Sequence, residues 1–184
     1  MRKVLFLSFL PFLVLACKSD APKGANGVVY KTAVDYNDYI VNRQNQVMQN
    51  IMDFVSVAEN DLDSAELLLD KYVIEVGTMV RDLRGMPAFK GDTELRDASV
   101  DIFRFYQRIF NEDYRRIIHI RNGKLDLGDG AEAEVERIVE KIKAEERGKD
   151  ERFHTAQTAF ARKNDMQLRD NEMQREFDKR MNAD

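Results

Sequence analysis

Metal binding or proton transfer by histidine in this chain would depend on His119 and His154, because it has only two histidines. His154 follows Glu151 at the Glu-x-x-His spacing of di-iron helical bundles, which need two such pairs and two further inward-facing glutamates. The chain has one pair, and its histidine projects away from the apolar side chain of Phe153. His119 falls on the polar side of its predicted helix. We therefore expect no metal site and interpret His119 as an exposed surface residue.

The segment 126–130 contains two aspartates and two glycines, which is the composition of a calcium-binding loop. An EF-hand loop needs acidic residues at alternate positions and a glutamate at its twelfth. The twelfth residue counted from Asp126 is Arg137, so we expect a turn in which Asp129 caps the next helix. The sequence also has no phosphate-binding glycine loop followed by Lys and Ser or Thr, and no nucleophile elbow. It therefore predicts no catalytic residue and no cofactor.

Four charged residues interrupt the apolar seams of predicted helices: Arg43, Asp113, Glu146 and Lys149. On adjacent antiparallel helices Arg43 and Glu146 should lie at similar heights, so we expect them to form a partly buried ion pair in an internal polar layer. Two interpretations of this layer stay open. It is either a device that sets helix register in a slightly open bundle, or the wall of a polar ligand pocket between helices.

The elements that position these residues are predicted to be helices. Of the 184 residues, 34% are charged and 43% hydrophobic, with nine glycines and three prolines, which is typical of one soluble and mostly helical domain. Apolar residues recur at three- and four-residue steps, and no segment alternates like an exposed strand. The predicted fold class is therefore all-α.

Four helices are predicted over residues 32–163, joined by short turns, as an antiparallel up-down-up-down four-helix bundle. The first begins near Thr32 or Asp35 and ends near residue 60. The second begins at Asp63, in capping-box spacing with Glu66, and ends at Gly85. The third begins at a capping Asp92 and ends at 122–123, and the fourth covers 131–163. The third helix is apolar over more than half its circumference, so we expect it to be the buried spine.

Residues 164–184 break the register of the fourth helix. Their apolar side chains project on the side opposite the preceding seam: Met166, Met173, Phe177 and Met181. We interpret 164–165 as a kink or a new helix start. Three descriptions of this charged tail stay open: a solvated, fraying segment, a partner-binding amphipathic segment, or a helix that packs back on the bundle.

The first 17 residues belong to a different class of segment. A basic start is followed by an apolar run, 4–16, that is too short to span a bilayer. The run ends Leu13-Val14-Leu15-Ala16-Cys17. This ending resembles the lipobox of bacterial lipoproteins, in which the cysteine is diacylated and becomes the new N-terminus. The alternative is an ordinary secretory signal in which the only cysteine is incidental.

Cleavage before Cys17 removes Arg2 and Lys3 and no acid, so the formal charge changes from −4 to −6. An acidic protein lacks the basic surface that nucleic acid or anionic lipid requires, so we expect no nucleic-acid partner. Membrane attachment would then depend on the acyl chains. Lys18 after the cysteine favours the outer membrane, in either leaflet. Residues 17–31 are predicted to be a flexible tether.

The segment 86–98, with its Phe89-Lys90-Gly91-Asp92 turn, and its continuation to Tyr114 resemble small helical surface lipoproteins of spirochaetes and Bacteroidetes. The first helix and residues 153–163 resemble the same group. The resemblance implies a lipid-anchored, exported helical protein and carries no activity with it. We therefore expect a non-enzymatic structural or interaction module of the cell envelope. The alternative is a periplasmic or surface bundle that binds a small ligand near Arg43 and Glu146.

Mass spectrometry of the protein taken from its native membrane should find Cys17 as the first residue, carrying fatty acid, because the lipobox directs both steps. A mature chain in which Cys17 carries no fatty acid would contradict the predicted anchor.

Overall fold

The computed structural model describes residue 21 and residues 23–181. Its helices are α1 (Ala33–Ala58), α2 (Leu62–Arg84), α3 (Glu94–Arg108), α4 (Tyr114–Arg121), α5 (Ala131–Lys163) and α6 (Glu172–Met181). A π-helical turn, Ile109–Asp113, joins α3 to α4, and a 3-10 turn, Gly128–Gly130, precedes α5. Extended pairing in the described residues is limited to two isolated bridges, Lys23 with Val29 and Phe89 with Asp92. The all-α prediction is confirmed. Cys17 and the side chain of Met181 lie outside what is described.

Three of the predicted helix caps need correction. In α3 the N-cap is Thr93 rather than Asp92, although Asp92 Oδ1 accepts from the Glu94 N–H at 2.8 Å. Thr32 and Asp35 form the capping box of α1. The cap of α2 is Asp61 rather than Asp63, because Asp61 has the extended backbone that lets its carboxylate accept from the first free N–H groups. Asp129 does not cap α5. The 3-10 turn runs directly into α5, and Gly130 occupies the N-cap without a side-chain hydrogen bond.

The α3–α4 helix is the central spine that its apolar composition predicted. It packs on α2 and α5, while α1 packs on α2. Several of its large side chains are almost fully buried in the one hydrophobic core: Leu95, Ile102, Phe103, Tyr106, Ile109 and Phe110. No helix among the described residues combines the length and apolar content needed to span a bilayer.

The π turn changes which side chains of the spine share a face. Tyr106 and Tyr114 are eight positions apart, and in a regular α-helix they would point about 80° apart. A π turn accommodates one extra residue within a turn, which reduces that offset to about 20°. Both tyrosines therefore face the same side of the spine.

The predicted tether is wrong over residues 23–31, which pack against the helices. Tyr30 is fully buried, with its ring 5.2 Å from the rings of both Tyr36 and Tyr39. The Ala25 N–H donates to the Gly85 carbonyl at 2.9 Å. Gly27 supplies the left-handed conformation that the turn requires, with φ of 80°. One buried aromatic side chain thus extends the ordered domain toward the N-terminus.

Residues 166–181 pack back on the preceding helices, which corrects the solvated and fraying description. After α5, Asp165 takes φ of 51° and the Met166 N–H donates to the Ala161 carbonyl, so the chain reverses direction. Helix α6 then lies against α1. Phe177 is 6% exposed, and Met173, like Met166, is half-buried against the core. Of the apolar face considered for a partner, Phe177 is covered by the protein's own helices, and Met166 and Met173 are covered in part.

Replacing Leu69 by Ala should lower the free energy of unfolding by about 2–5 kcal/mol, because it leaves a cavity at a fully buried position. Leu67, 71% exposed on the same helix, is the matched control. Its replacement by Ala should change stability by no more than about 0.5 kcal/mol. Urea unfolding followed by circular dichroism measures both. Equal effects would contradict the assignment of the buried face of α2.

Candidate functional site

The predicted Arg43–Glu146 pair does not form. The Arg43 guanidinium folds back over its own helix, 3.3 Å from the centroid of the Tyr39 ring, and faces Asp82 of α2 at 3.9 Å. Glu146 faces the spine instead, where its Oε1 accepts from the Tyr106 hydroxyl at 3.3 Å. The prediction failed because α5 packs on α3, whereas the Arg43 side of α1 faces α2.

Asp113 and Lys149 are also held by other partners. Asp113 is buried in the π turn and bonds the Arg108 guanidinium and, at 3.2 Å, the Lys141 ammonium. Lys149 bonds Asp101 of α3 at 3.0 Å. The four residues of the predicted polar layer thus occupy separate places. Only Glu146 lines a cavity between helices.

The two histidines lie in different surroundings. His119 is about one-third exposed, and its Nε2 lies 2.9 Å from Glu66 Oε1. The predicted exposed surface residue is therefore partly buried and in contact with a carboxyl group. Hydrogen bonds from Lys124 and His119 lower the pKa of Glu66 to about 2. His154 is exposed. Across residue 21 and 23–181, no three His, Cys, Asp or Glu side chains converge as metal ligands.

A pocket of about 410 Å³ lies between the spine, α5 and α6, and we call it the α6 pocket. Its apolar wall comes from α1, α5 and α6: Val55, Val139, Ile142 and Phe177. Its polar groups are Tyr106, Tyr114, Glu146, Asp150, Gln174 and Asp178, with Lys143 and Arg147 also in the lining. The lining therefore combines one apolar wall with a larger number of polar and charged groups, and polar groups that converge beside apolar surface are what orients a small ligand.

The two tyrosines enter the α6 pocket from the same face of the spine. The Tyr106 hydroxyl donates to Glu146. The Tyr114 ring stacks on Phe54, with centroids 4.8 Å apart, and its hydroxyl has no hydrogen-bond partner within the described chain. Burial raises the pKa of both hydroxyls well above the ordinary value, so both stay neutral and able to donate. The pocket therefore holds two fixed hydroxyls, one of which is unused.

The carboxyl groups of α5 give the pocket its electrostatic character. Glu146 and Asp150 are one helical turn apart and face the same cavity. Burial, with added repulsion from Asp150 and Asp178, raises the pKa of Glu146 to about 7. Burial and Asp178 also raise the pKa of Asp150. In the described part of the chain, neither Glu146 nor Asp150 forms a salt bridge, although most buried carboxylates in proteins are paired.

Helix α6 is attached over this pocket by one apolar anchor and a few amides. Phe177 is the anchor, while Gln174 accepts from Gln44 at 3.4 Å and Asn171 donates to Asn45 at 2.8 Å. On the other side of α6 lies a wider groove of about 820 Å³ between α1, α5 and residues 165–171. Asp150, Gln174 and Asp178 line both spaces. Because these polar contacts are few, α6 is the element of the site with the least to hold it in place.

Sequence reasoning selected Glu146 and Phe177 but missed their neighbours Tyr106, Tyr114 and Asp150. The tyrosines were assigned to the core because their positions fit a broad apolar arc. That breadth was itself a signal, since a change of helical phase at a π turn widens the arc. Asp150 gave no signal, because a carboxylate among the many charges of α5 looks solvated.

No protein-family model matches this chain, and no curated protein or solved structure matches it either. The chemistry of the α6 pocket is therefore inferred from its own geometry.

Replacing Glu146 by Gln should stabilise the protein at pH 8, by roughly 1–3 kcal/mol, and leave its stability at pH 4 almost unchanged. The folded pKa of Glu146 is about 7 and its ordinary value is 4.5. Folding therefore favours the protonated form, and that stability is lost as the pH rises through about 7. Gln mimics the protonated form at every pH.

Urea unfolding of both proteins between pH 4 and pH 8 measures this difference. Glu151→Gln, an exposed change on the same helix, is the control and should follow the wild type. If Glu146→Gln gives no relative gain at pH 8, Glu146 is not desolvated in the folded protein.

Proposed function

We propose that the protein is a non-enzymatic, lipid-anchored protein of the bacterial cell envelope that binds a small ligand in the α6 pocket. The observation that carries the binding function is the pocket itself. Its volume of about 410 Å³ lies within the range of small-molecule sites, and it lies between helices, where bundles place their ligands. The pocket contains Glu146, one of the two residues near which the alternative sequence interpretation placed a ligand site.

The character of the polar groups favours binding over catalysis. Tyr106 and Tyr114 are held neutral, so neither is activated as a nucleophile. Glu146 is hydrogen-bonded to one of these hydroxyls and to no other described side chain. Fixed donors beside an apolar wall orient a ligand, and orientation is what a binding site needs.

The cellular setting is proposed from the N-terminal sequence. Acyl chains on Cys17 would hold the protein to the membrane, and two or more chains suffice for stable anchoring. Lys18 favours the outer membrane, in the periplasmic or the surface leaflet. The resemblance of segment 86–114 to helical surface lipoproteins supports the same setting.

We also propose that α1, α2, the α3–α4 spine and α5 form an antiparallel up-down-up-down bundle that α6 covers. Two ion pairs support the antiparallel placement of α5 beside the spine. Lys163, at the end of α5, bonds Asp92 just before α3 at 2.7 Å. Glu134, near the start of α5, bonds Arg116 of α4 at 2.9 Å.

Ligand-observed NMR with a fragment set of cations, anions and neutral compounds tests the binding function. Fragments should bind the wild type, and Val139→Phe should abolish their binding, because the larger side chain fills the α6 pocket. Leu67→Phe, at an exposed position on α2, is the control and should keep the hits. A circular dichroism melt verifies that both variants fold, and Ile142→Phe replaces Val139→Phe if needed. If no fragment binds, or if hits persist in the filled variant, the pocket is not the binding site.

A further inference from the structure

We propose that the ligand of the α6 pocket is an organic monocation with an apolar body, whose charged group lies against Glu146 and whose binding displaces the Glu146 proton. The inference rests on the proposed binding function and adds the chemical class of the ligand. Three properties of the pocket support it: the carboxyl groups of Glu146 and Asp150, which form no salt bridge among the described residues, the aromatic walls and the size.

The first property is the lack of a salt bridge at two carboxyl groups of the pocket. Glu146 and Asp150 face the cavity without a salt bridge among the described residues, and Asp178 of α6 approaches them from the opposite side. Placing carboxyl groups together away from water is costly unless a cation or a proton neutralises them. Below about pH 7 a proton performs this role at Glu146 in the free protein. A bound cation would replace that proton and lie against the carboxyl groups of Glu146 and Asp150.

The second property is the aromatic wall around these carboxyl groups. The rings of Tyr106 and Phe177 line the cavity, and an ammonium group is attracted to such ring faces. The unused Tyr114 hydroxyl can accept a hydrogen bond from an ammonium N–H. Val139 and Ile142 complete an apolar wall that would contact the body of the ligand. Charge and apolar surface therefore adjoin in one cavity, as they do in an arylalkylamine.

The third property is size. A volume of about 410 Å³ is far larger than a single ion, and the described residues offer no three metal-ligating side chains in one place. Lys143 and Arg147 also line the pocket, and their charges would repel a second positive group on the ligand. The fit is thus to one charge on an apolar body rather than to a metal ion or a polyamine.

The coupling to protons follows from the groups that face Glu146. These are Tyr106 of α3, Tyr114 of α4, Lys143, Arg147 and Asp150 of α5, and Asp178 of α6, while α1 contributes only the apolar Val55. Burial keeps both tyrosines neutral near pH 7. Below pH 7 the ligand must displace the Glu146 proton, so its affinity should be about tenfold weaker at pH 6 than at pH 8.

Isothermal titration calorimetry of the full mature chain with benzylamine, and with its uncharged analogue benzyl alcohol, tests the inference. Benzylamine should bind about tenfold more tightly at pH 8 than at pH 6, and at pH 6 its binding should release nearly one proton, measured from the dependence on buffer ionisation enthalpy. Glu146→Gln should weaken benzylamine binding at pH 8 at least tenfold and remove the pH dependence. Glu151→Gln should change neither.

The possible outcomes distinguish a wrong ligand class from a pocket that binds no ligand. If benzyl alcohol binds as tightly as benzylamine, or if Glu146→Gln leaves the amine affinity unchanged, the cationic class is wrong. Binding of neutral or anionic fragments that Val139→Phe abolishes would then still support the pocket. If neither compound nor any fragment binds the wild type, the proposed function itself fails.

Discussion

The structure depends on covering a helix that is apolar on too many sides for one neighbour. The α3–α4 spine buries Phe103, Phe110 and Ile102 at once, so α2 alone cannot shield it from water. Helix α5 covers a second side, and α6 closes the remaining seam beside α1 with Phe177. Removing large aromatic and aliphatic side chains from water is the dominant favourable contribution to folding. The positions of α2, α5 and α6 therefore follow from the sides of the spine that need to be covered.

The π turn converts that structural spine into one wall of a site. By adding a residue without a matching rotation, it places Tyr106 and Tyr114 on one face toward α5. Asp113 stays buried in the same turn because Arg108 and Lys141 neutralise it. Glu146 of α5 accepts a hydrogen bond from Tyr106 but has no cationic partner among the described residues. The spine and α5 thus hold one carboxyl group that cations neutralise and one that they do not, and the second faces the cavity.

Helix α6, which lies over the pocket, makes few contacts with the rest of the protein. The stability of α6 and ligand binding in the pocket are therefore linked. Helix α6 is short, ten residues, and depends on Phe177 and a few side-chain amides for its position. An isolated helix of that length is marginal in water. Burial and the nearby Asp150 and Asp178 raise the pKa of Glu146 to about 7, so the folded arrangement, with α6 beside Glu146, favours the neutral form of that carboxyl group. A neutralising proton or ligand would therefore stabilise both the pocket and its cover.

Local patterns were sufficient for the elements and for most of their ends. Apolar spacing predicted α1, α2, the spine and α5, and Gly85 and Asn122-Gly123 were correctly placed as stops, because caps and periodicity are properties of neighbouring residues. The predicted caps of α2 and α5 were wrong. In α2 the N-cap is Asp61 and not Asp63, and in α5 it is Gly130 and not Asp129, because two candidate residues lie within a few positions of each other.

What the sequence determined alone was the all-α class and the extent of each long helix, because helix formation is governed by contacts three and four residues apart. Only the tertiary structure decided that Arg43 and Glu146 face different helices, that Tyr30 and Phe177 return to the core, and that two tyrosines meet two carboxyl groups in one cavity. Those facts depend on which faces of distant segments meet, and on a one-residue change of phase inside a continuous helix. Neither is encoded in the spacing of nearby side chains.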